Sequence, residues 1–190
     1  MTKGFDSTHP KETGIIFSTE MVKAILEGQK TVTRRLRGLK YLNRFPDGWE
    51  LVREWPKQCE GGFEFYSENL RYTDIIKCPY GGVGDWLYLK ETHQWVTLAE
   101  KDPWKDAAIA DGTFRRMPDG SPVMMCYKAD GYPIGAPWRS PLFMYKWASR
   151  KKLEIVSVRP ERITAEDAKA EEISQISGHW PWVWRIEWRP

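Results

Sequence analysis

Six basic side chains (Lys30, Arg34, Arg35, Arg37, Lys40 and Arg44) fall between Lys30 and Arg44 without one acid, and Tyr41 and Phe45 stand among them. A second acid-free run, Arg139 to Lys152, carries Arg139, Lys146, Arg150, Lys151 and Lys152, interleaved with Phe143, Tyr145 and Trp147. Lys and Arg neutralise phosphates, and aromatic rings beside them stack on bases at roughly 1–3 kcal/mol per base. Cations and rings in one run are therefore the chemistry of single-stranded nucleic-acid recognition. The expected contacts are Arg34, Arg35, Arg37, Lys40 and Arg44 from the first run, and Lys146, Trp147, Arg150 and Lys151 from the second. Brought together, the two runs would form one basic, aromatic-lined cleft. Solvated loops would carry the same composition, and sequence alone does not place the runs side by side. The balancing acids gather elsewhere, with Glu161, Glu166, Asp167, Glu171 and Glu172 around one later segment.

Other chemistries lack their residues. Gly28-Gln29-Lys30-Thr31 has neither the Gly-Lys pair nor the upstream glycine of a phosphate loop, since Lys23 stands five residues earlier. Gly81-Gly82-Val83-Gly84 leads toward a strand and reads as a tight turn. A zinc deaminase needs His-x-Glu and Pro-Cys-x-x-Cys; here His9 precedes Pro10, and Cys78 precedes Pro79 with no second cysteine nearby. A histidine-based triad has only His93 or His179 to draw on. No metal and no cofactor are expected.

Several elements must position these side chains. Thr13 to Phe17 reads as a strand, after which Ser18 or Thr19 caps a helix with Glu20 in its first turn, Met21, Val22, Ile25 and Leu26 at helical spacing, and Gly28 as the stop. Strands are expected at Thr31 to Leu36, Trp49 to Glu54, Phe63 to Tyr66, Asp85 to Glu91, Val123 to Lys128 and Leu153 to Val158. Thr164 with Asp167 has the spacing of a capping box and opens a second helix, since Ala165 to Ser174 lacks Pro and Gly. In the last strand Trp182, Trp184, Ile186 and Trp188 alternate with Val183, Arg185 and Glu187. The segments from Thr97 to Gly120 and from Asp130 to Pro141 read as long surface insertions. Many short strands, two helices and long loops predict an α+β fold built on a partly open β-barrel.

The 190 residues suit one domain, with residues 1–12 as a flexible arm. Lys+Arg 29 against Asp+Glu 26 leaves a net charge of only +3, so the two basic runs are local features. No stretch is apolar enough to span a membrane, and Met1 to Glu20 lacks the layout of a secretory signal, so a cytoplasmic protein is expected. Cys59, Cys78 and Cys126 then read as reduced thiols. Eleven tryptophans are too many to pass over. They are either barrel core or base-stacking surface.

Ile25-Leu26-Glu27-Gly28-Gln29-Lys30-Thr31-Val32-Thr33-Arg34-Arg35 resembles the opening motif of the ASCH domain family, whose members share a PUA-like β-barrel. Cys78-Pro79-Tyr80-Gly81, leading to Gly84-Asp85-Trp86-Leu87-Tyr88-Leu89-Lys90-Glu91-Thr92, is similar to the central strand of its larger, phage-associated members. Trp147-Ala148-Ser149-Arg150 is similar to their next motif, and Ile163-Thr164-Ala165-Glu166-Asp167-Ala168-Lys169-Ala170-Glu171 to their acidic helix. The likeness runs from about Ile15 to Trp188. Where many such members have Pro-Ser-Ile-His-Met-Pro, this chain has Ser140-Pro141-Leu142-Phe143-Met144-Tyr145, so any role of that histidine is absent here.

The resemblance implies an RNA-linked function. Small bacterial members include acetylcytidine amidohydrolases, whose Lys, Thr and Glu fall on Lys30, Thr33 and Glu171, and other members are ribonucleases. A threonine hydroxyl needs a neighbour to take its proton; Lys30 could do so, Glu171 could orient it or carry a proton to a leaving amine, and Arg35 could hold an anion. Residues three apart on a strand face opposite ways, so Lys30 and Thr33 converge only if the chain bends after Gly28. The leading expectation is an RNA-binding or single-stranded nucleic-acid-binding protein. The alternatives are a hydrolase acting on a modified nucleoside or RNA, and a phage protein that binds a host protein through exposed tryptophans.

Overall fold

The Ser18 hydroxyl accepts a hydrogen bond from the Met21 amide at 3.3 Å and starts helix α1 (Thr19–Leu26), directly after strand β1 (Glu12–Ile16). Val22 and Ile25, one turn apart, are its buried positions, and Gly28 at φ 75° ends it. The computed structural model describes residues 10–55, 62–99, 101–131, 135, 137–176 and 178–189. Cys59, His9 and most of the expected N-terminal arm lie outside the described residues.

After α1 come β2 (Val32–Arg35), β3 (Glu50–Trp55), β4 (Gly62–Ser67), β5 (Tyr72–Ile76), β6 (Trp86–Lys90) and β7 (His93–Thr97). Then follow α2 (Trp104–Ala110), β8 (Phe114–Arg116), β9 (Pro122–Tyr127), β10 (Lys152–Arg162), α3 (Ala165–Ala170) and β11 (Trp182–Arg189). The architecture is mixed α+β. The strands lie in open sheets that do not close into a barrel: among the described residues, β3-β4-β5 and β7-β9-β8 are separate three-stranded sheets whose outer strands pair with no further strand. The described residues also hold three α-helices instead of two: α2 forms inside the supposed surface insertion, led in by a turn in which the Asp102 carboxylate accepts the Trp104 amide at 2.9 Å. Ala108 of α2 is buried and β8 pairs with β9, so that segment has a packed face.

The chain divides into two units. One contains Thr31–Trp86 and Glu154–Arg189; the other contains Glu12–Lys30 and Leu87–Leu153. In the first, β11 lies antiparallel to both β10 and β2, with Ile186 opposite Val158 and Thr33, and Trp184 opposite Pro160 and Arg35. The expected alternation on β11 holds, since Trp182, Trp184, Ile186 and Trp188 are all buried. Phe63 and Phe65 of β4 meet Trp184 and Trp182 at ring-centroid distances of 5.3 and 5.1 Å. Such pairs add about 0.5–1.5 kcal/mol each beyond area burial.

Those same tryptophans hold the connection between β2 and β3. Asn43 forms a reciprocal pair with the Trp182 backbone, donating from Nδ2 to the carbonyl at 2.9 Å and accepting from the amide at 2.7 Å. The indole N–H groups of Trp182 and Trp184 donate to the carbonyls of Pro46 and Arg37. With Leu39, Leu42, Asn43 and Pro46 turned inward, short 3₁₀ turns at Leu42–Arg44 and Pro46–Gly48 leave Lys40, Tyr41, Arg44 and Phe45 outward.

In the second unit the sheet β7-β9-β8 covers a core of Val123, Met125, Tyr127, Met144 and Ala148, and β1 lies beside β6. The Tyr127 hydroxyl donates to the Ala148 carbonyl at 2.8 Å, which ties the second basic run to β9.

Candidate functional site

Alternation along β2 puts Thr33 and Arg35 on one face of the strand. Thr33 is 0% exposed, and its hydroxyl donates to Glu171 Oε2 at 2.8 Å. Glu171 owes its place to the way α3 begins and ends. The Thr164 side chain accepts from the Asp167 amide and opens the helix as the spacing predicts, but α3 stops at Ala170, short of Ser174. Glu172 adopts φ 55°, its amide faces Lys169 O at 3.4 Å, and the Ile173 amide donates back to Ala168 O at 2.8 Å. This is a Schellman ending, completed by Ile173 packing on Ile163, Ala168 and Val183. A β-carbon at this left-handed position is strained. Glu172→Gly is therefore expected to raise stability by about 0.5–1 kcal/mol, measured as a higher urea midpoint at constant m; an unchanged or lower midpoint contradicts it.

Arg35 is half-buried, and burial disfavours its charge, while Tyr80 and the Glu171 carboxylate act the other way. Burial likewise pushes the Tyr80 phenol up, against the pull of Arg35 and Arg37. Thr33 and Glu171 are thus in direct contact, and the Arg35 guanidinium feels the charge of both Glu171 and Tyr80. Tyr80 was not among the expected site residues; its signal was the Cys78-Pro79-Tyr80-Gly81 stretch. Beside it, burial raises the Cys78 thiol to about 11. Of the expected catalytic residues, Thr33 and Glu171 are in contact. Lys30 belongs to the other unit, ahead of β2, with its amide bonded to Ala24 O at 3.0 Å.

The expected nucleic-acid contacts separate into two kinds. Arg34 is engaged, with Nε 2.8 Å from Glu161 and Nη2 2.9 Å from Asp167. Arg150 is engaged by Glu91 and Asp130, and Lys146 lies 2.8 Å from Glu12. In contrast Arg37, Lys40 and Arg44 are exposed, and among the described residues no carboxylate pairs with any of them or with Lys151. Trp147 is half-buried, edge-on to Trp95 and stacked on Tyr145, while Arg139 sits 3.9 Å above the Trp95 ring. Apart from Lys30, the first basic run falls in Thr31–Trp86, whereas the second falls in Leu87–Leu153 of the other unit.

Of the tryptophans, Trp104 alone is exposed; Trp49, Trp182, Trp184 and Trp188 are buried core and the others half-buried, and the other open rings are Tyr41, Phe45, Tyr66, Tyr72, Phe143 and Tyr145. His93 is buried with Nδ1 3.0 Å from the Glu91 carbonyl, and burial lowers its pKa. His179 contacts the Asp47 carboxylate. Among the described residues no three His, Cys, Asp or Glu side chains gather as metal ligands, and no helix is long and apolar enough to cross a membrane.

No protein-family model matches the chain, and no curated protein or solved structure matches it.

Proposed function

We propose that the protein binds RNA, single-stranded or structured, through the outward face of the connection between β2 and β3. One observation carries this reading. Arg37, Lys40 and Arg44 are exposed without a carboxylate partner among the described residues, and Tyr41 and Phe45 stand open beside them on a segment anchored to β11. Cations already paired to acids gain little from a phosphate, whereas unpaired ones release counterions from it. The resemblance to the larger, phage-type ASCH proteins supports the same reading, together with a PUA-like relationship for the fold and action in the cytoplasm.

Arg37→Ala, Lys40→Ala and Arg44→Ala are each expected to weaken binding of a labelled single-stranded RNA about equally at all sequences. Each should flatten the slope of log affinity against log salt by roughly 0.7. Arg34→Ala should change the slope far less. Unchanged affinity and slope in all three variants overturn the reading.

A second reading, a hydrolase, is favoured by the hydrogen bond between Thr33 and Glu171 at 2.8 Å, which sets a hydroxyl against a carboxylate able to take its proton. The carboxylate here stands where the resemblance assigns the base role to Lys30. Arg35 would face the oxyanion of an acetyl or phosphoryl group. The reading stands second because the Thr33 hydroxyl is wholly buried.

A further inference from the structure

Phe45 is 74% exposed, and Tyr41 and Leu36, which line hollows with it, are exposed as well, so the ring stands in an open apolar patch. Two hollows open in the first unit, of about 730 and 500 Å³, and Arg44 and Phe45 line both. The larger is walled also by Tyr41, Trp49 and Leu70, with Tyr41 and Trp49 edge to face at 5.4 Å. Its polar lining includes Asn69 and Ser67, able to meet the edge of a planar heterocycle. The smaller is walled by Leu36, Asn43 and Ile176, with Lys40 in its lining. Both volumes lie within the range of about 300–1,000 Å³ usual for small-ligand sites. One ring and one guanidinium shared by two neighbouring hollows describe a repeating ligand better than a single compact one.

Resting on the RNA-binding reading above, we propose that Phe45 stacks between two consecutive bases of a single strand. One base occupies each hollow, and Arg44 meets the phosphate that joins them. A ring between two bases opens their spacing from about 3.4 to about 7 Å, which a single strand allows freely and a duplex only by unstacking a paired step. The Lys40 ammonium then lies toward the backbone on the side of the smaller hollow. The same geometry makes recognition tolerant of sequence, because every base has a face to stack.

The test uses a fluorescein-labelled RNA decanucleotide with one central 2-aminopurine, titrated into wild type, Phe45→Ala and Phe45→Trp. Phe45→Ala is expected to weaken binding by roughly tenfold to a hundredfold while leaving the salt slope unchanged, since stacking is lost and no phosphate contact is. Phe45→Trp should bind as wild type does, and 2-aminopurine emission should be quenched by wild type and Phe45→Trp but not by Phe45→Ala. The exposed position keeps folding out of the result, which an equal urea midpoint confirms. If wild type and Phe45→Ala bind the RNA equally, this inference falls and the RNA reading stands. A salt slope that flattens in Phe45→Ala as in Arg44→Ala also overturns it, because the ring would then act through charge. Failure of wild type to bind the RNA at all removes both.

Discussion

Methionine in place of Arg150 is expected to cost about 3–5 kcal/mol of stability, because it leaves a buried carboxylate without its counter-ion. Glu91, with a side chain 2% exposed, accepts from Arg150 Nε and Nη2, both at 2.9 Å, and the guanidinium's Nη1 donates to Asp130 at 2.7 and 2.9 Å. The guanidinium carbon lies 4.1 Å from the Tyr127 ring centroid, so removing it also opens a gap over the core. Burial already raises the Glu91 pKa, with Arg150 holding it down. Without Arg150 the folded protein takes up a proton at Glu91 that the unfolded chain has lost. A folded-state pKa above the unfolded one means that stability falls as pH rises through and above the usual carboxylate range. Arg150→Met should therefore lie nearest wild type in acid and furthest from it at neutral pH, measured by urea unfolding at several pH values. Adding Glu91→Leu should recover most of the loss, since no unpaired buried charge is left and Asp130 keeps contact with water. A neutral-pH loss below about 1 kcal/mol, or a double variant no more stable than the single one, contradicts the account.

That cluster shows where sequence reading stopped. Arg150 and Arg34 look no different from Arg37 and Arg44 in a run of basic residues. Their partners Glu91 and Glu161 lie 59 and 127 positions away in the chain, and only folding brings them close. What could be read was local. Ser18 and Thr164 cap their helices, Gly28 stops the first, and the period-two pattern of β11 buries its tryptophans, because each signal is a hydrogen bond or a periodicity within a few residues. The α3 ending was missed because Glu172 takes a left-handed conformation that normally calls for glycine. Strands β5 and β7 and the α2–β8 segment were missed because polar residues break their patterns; pairing with neighbouring strands decides them. The role of Asn43 was equally hidden, since an amide that replaces a backbone pair is visible only once its strand is in place.

Thr33→Ala separates the two functional readings most sharply. If the site is a hydrolase, wild type releases cytidine and acetate from N4-acetylcytidine. Thr33 Oγ forms a bond to the acetyl carbon, its proton passes to Glu171, and the cytidine amine leaves with that proton; water then frees acetate and restores the hydroxyl. Thr33→Ala should lower turnover by roughly 10³-fold or more, and Glu171→Gln by roughly 10²–10⁴-fold. Thr33→Ser keeps the hydroxyl and should retain activity. Lys30→Ala decides whether the ammonium or the carboxylate is the base: it should leave the rate near wild type if Glu171 takes the proton. Absence of wild-type turnover at high enzyme concentration, on the nucleoside and on RNA, removes the hydrolase reading, and full activity in Thr33→Ala removes Thr33 from it. Thr33→Val serves as the structural control, losing the hydrogen bond to Glu171 at a cost of about 1 kcal/mol in urea unfolding. RNA affinity should not follow these changes. Thr33 is buried, and the cations that carry the binding reading are Arg37, Lys40 and Arg44 on the outer face of the next segment, so a Thr33→Ala protein that still binds RNA with an unaltered salt slope leaves the binding surface standing whatever becomes of the chemistry.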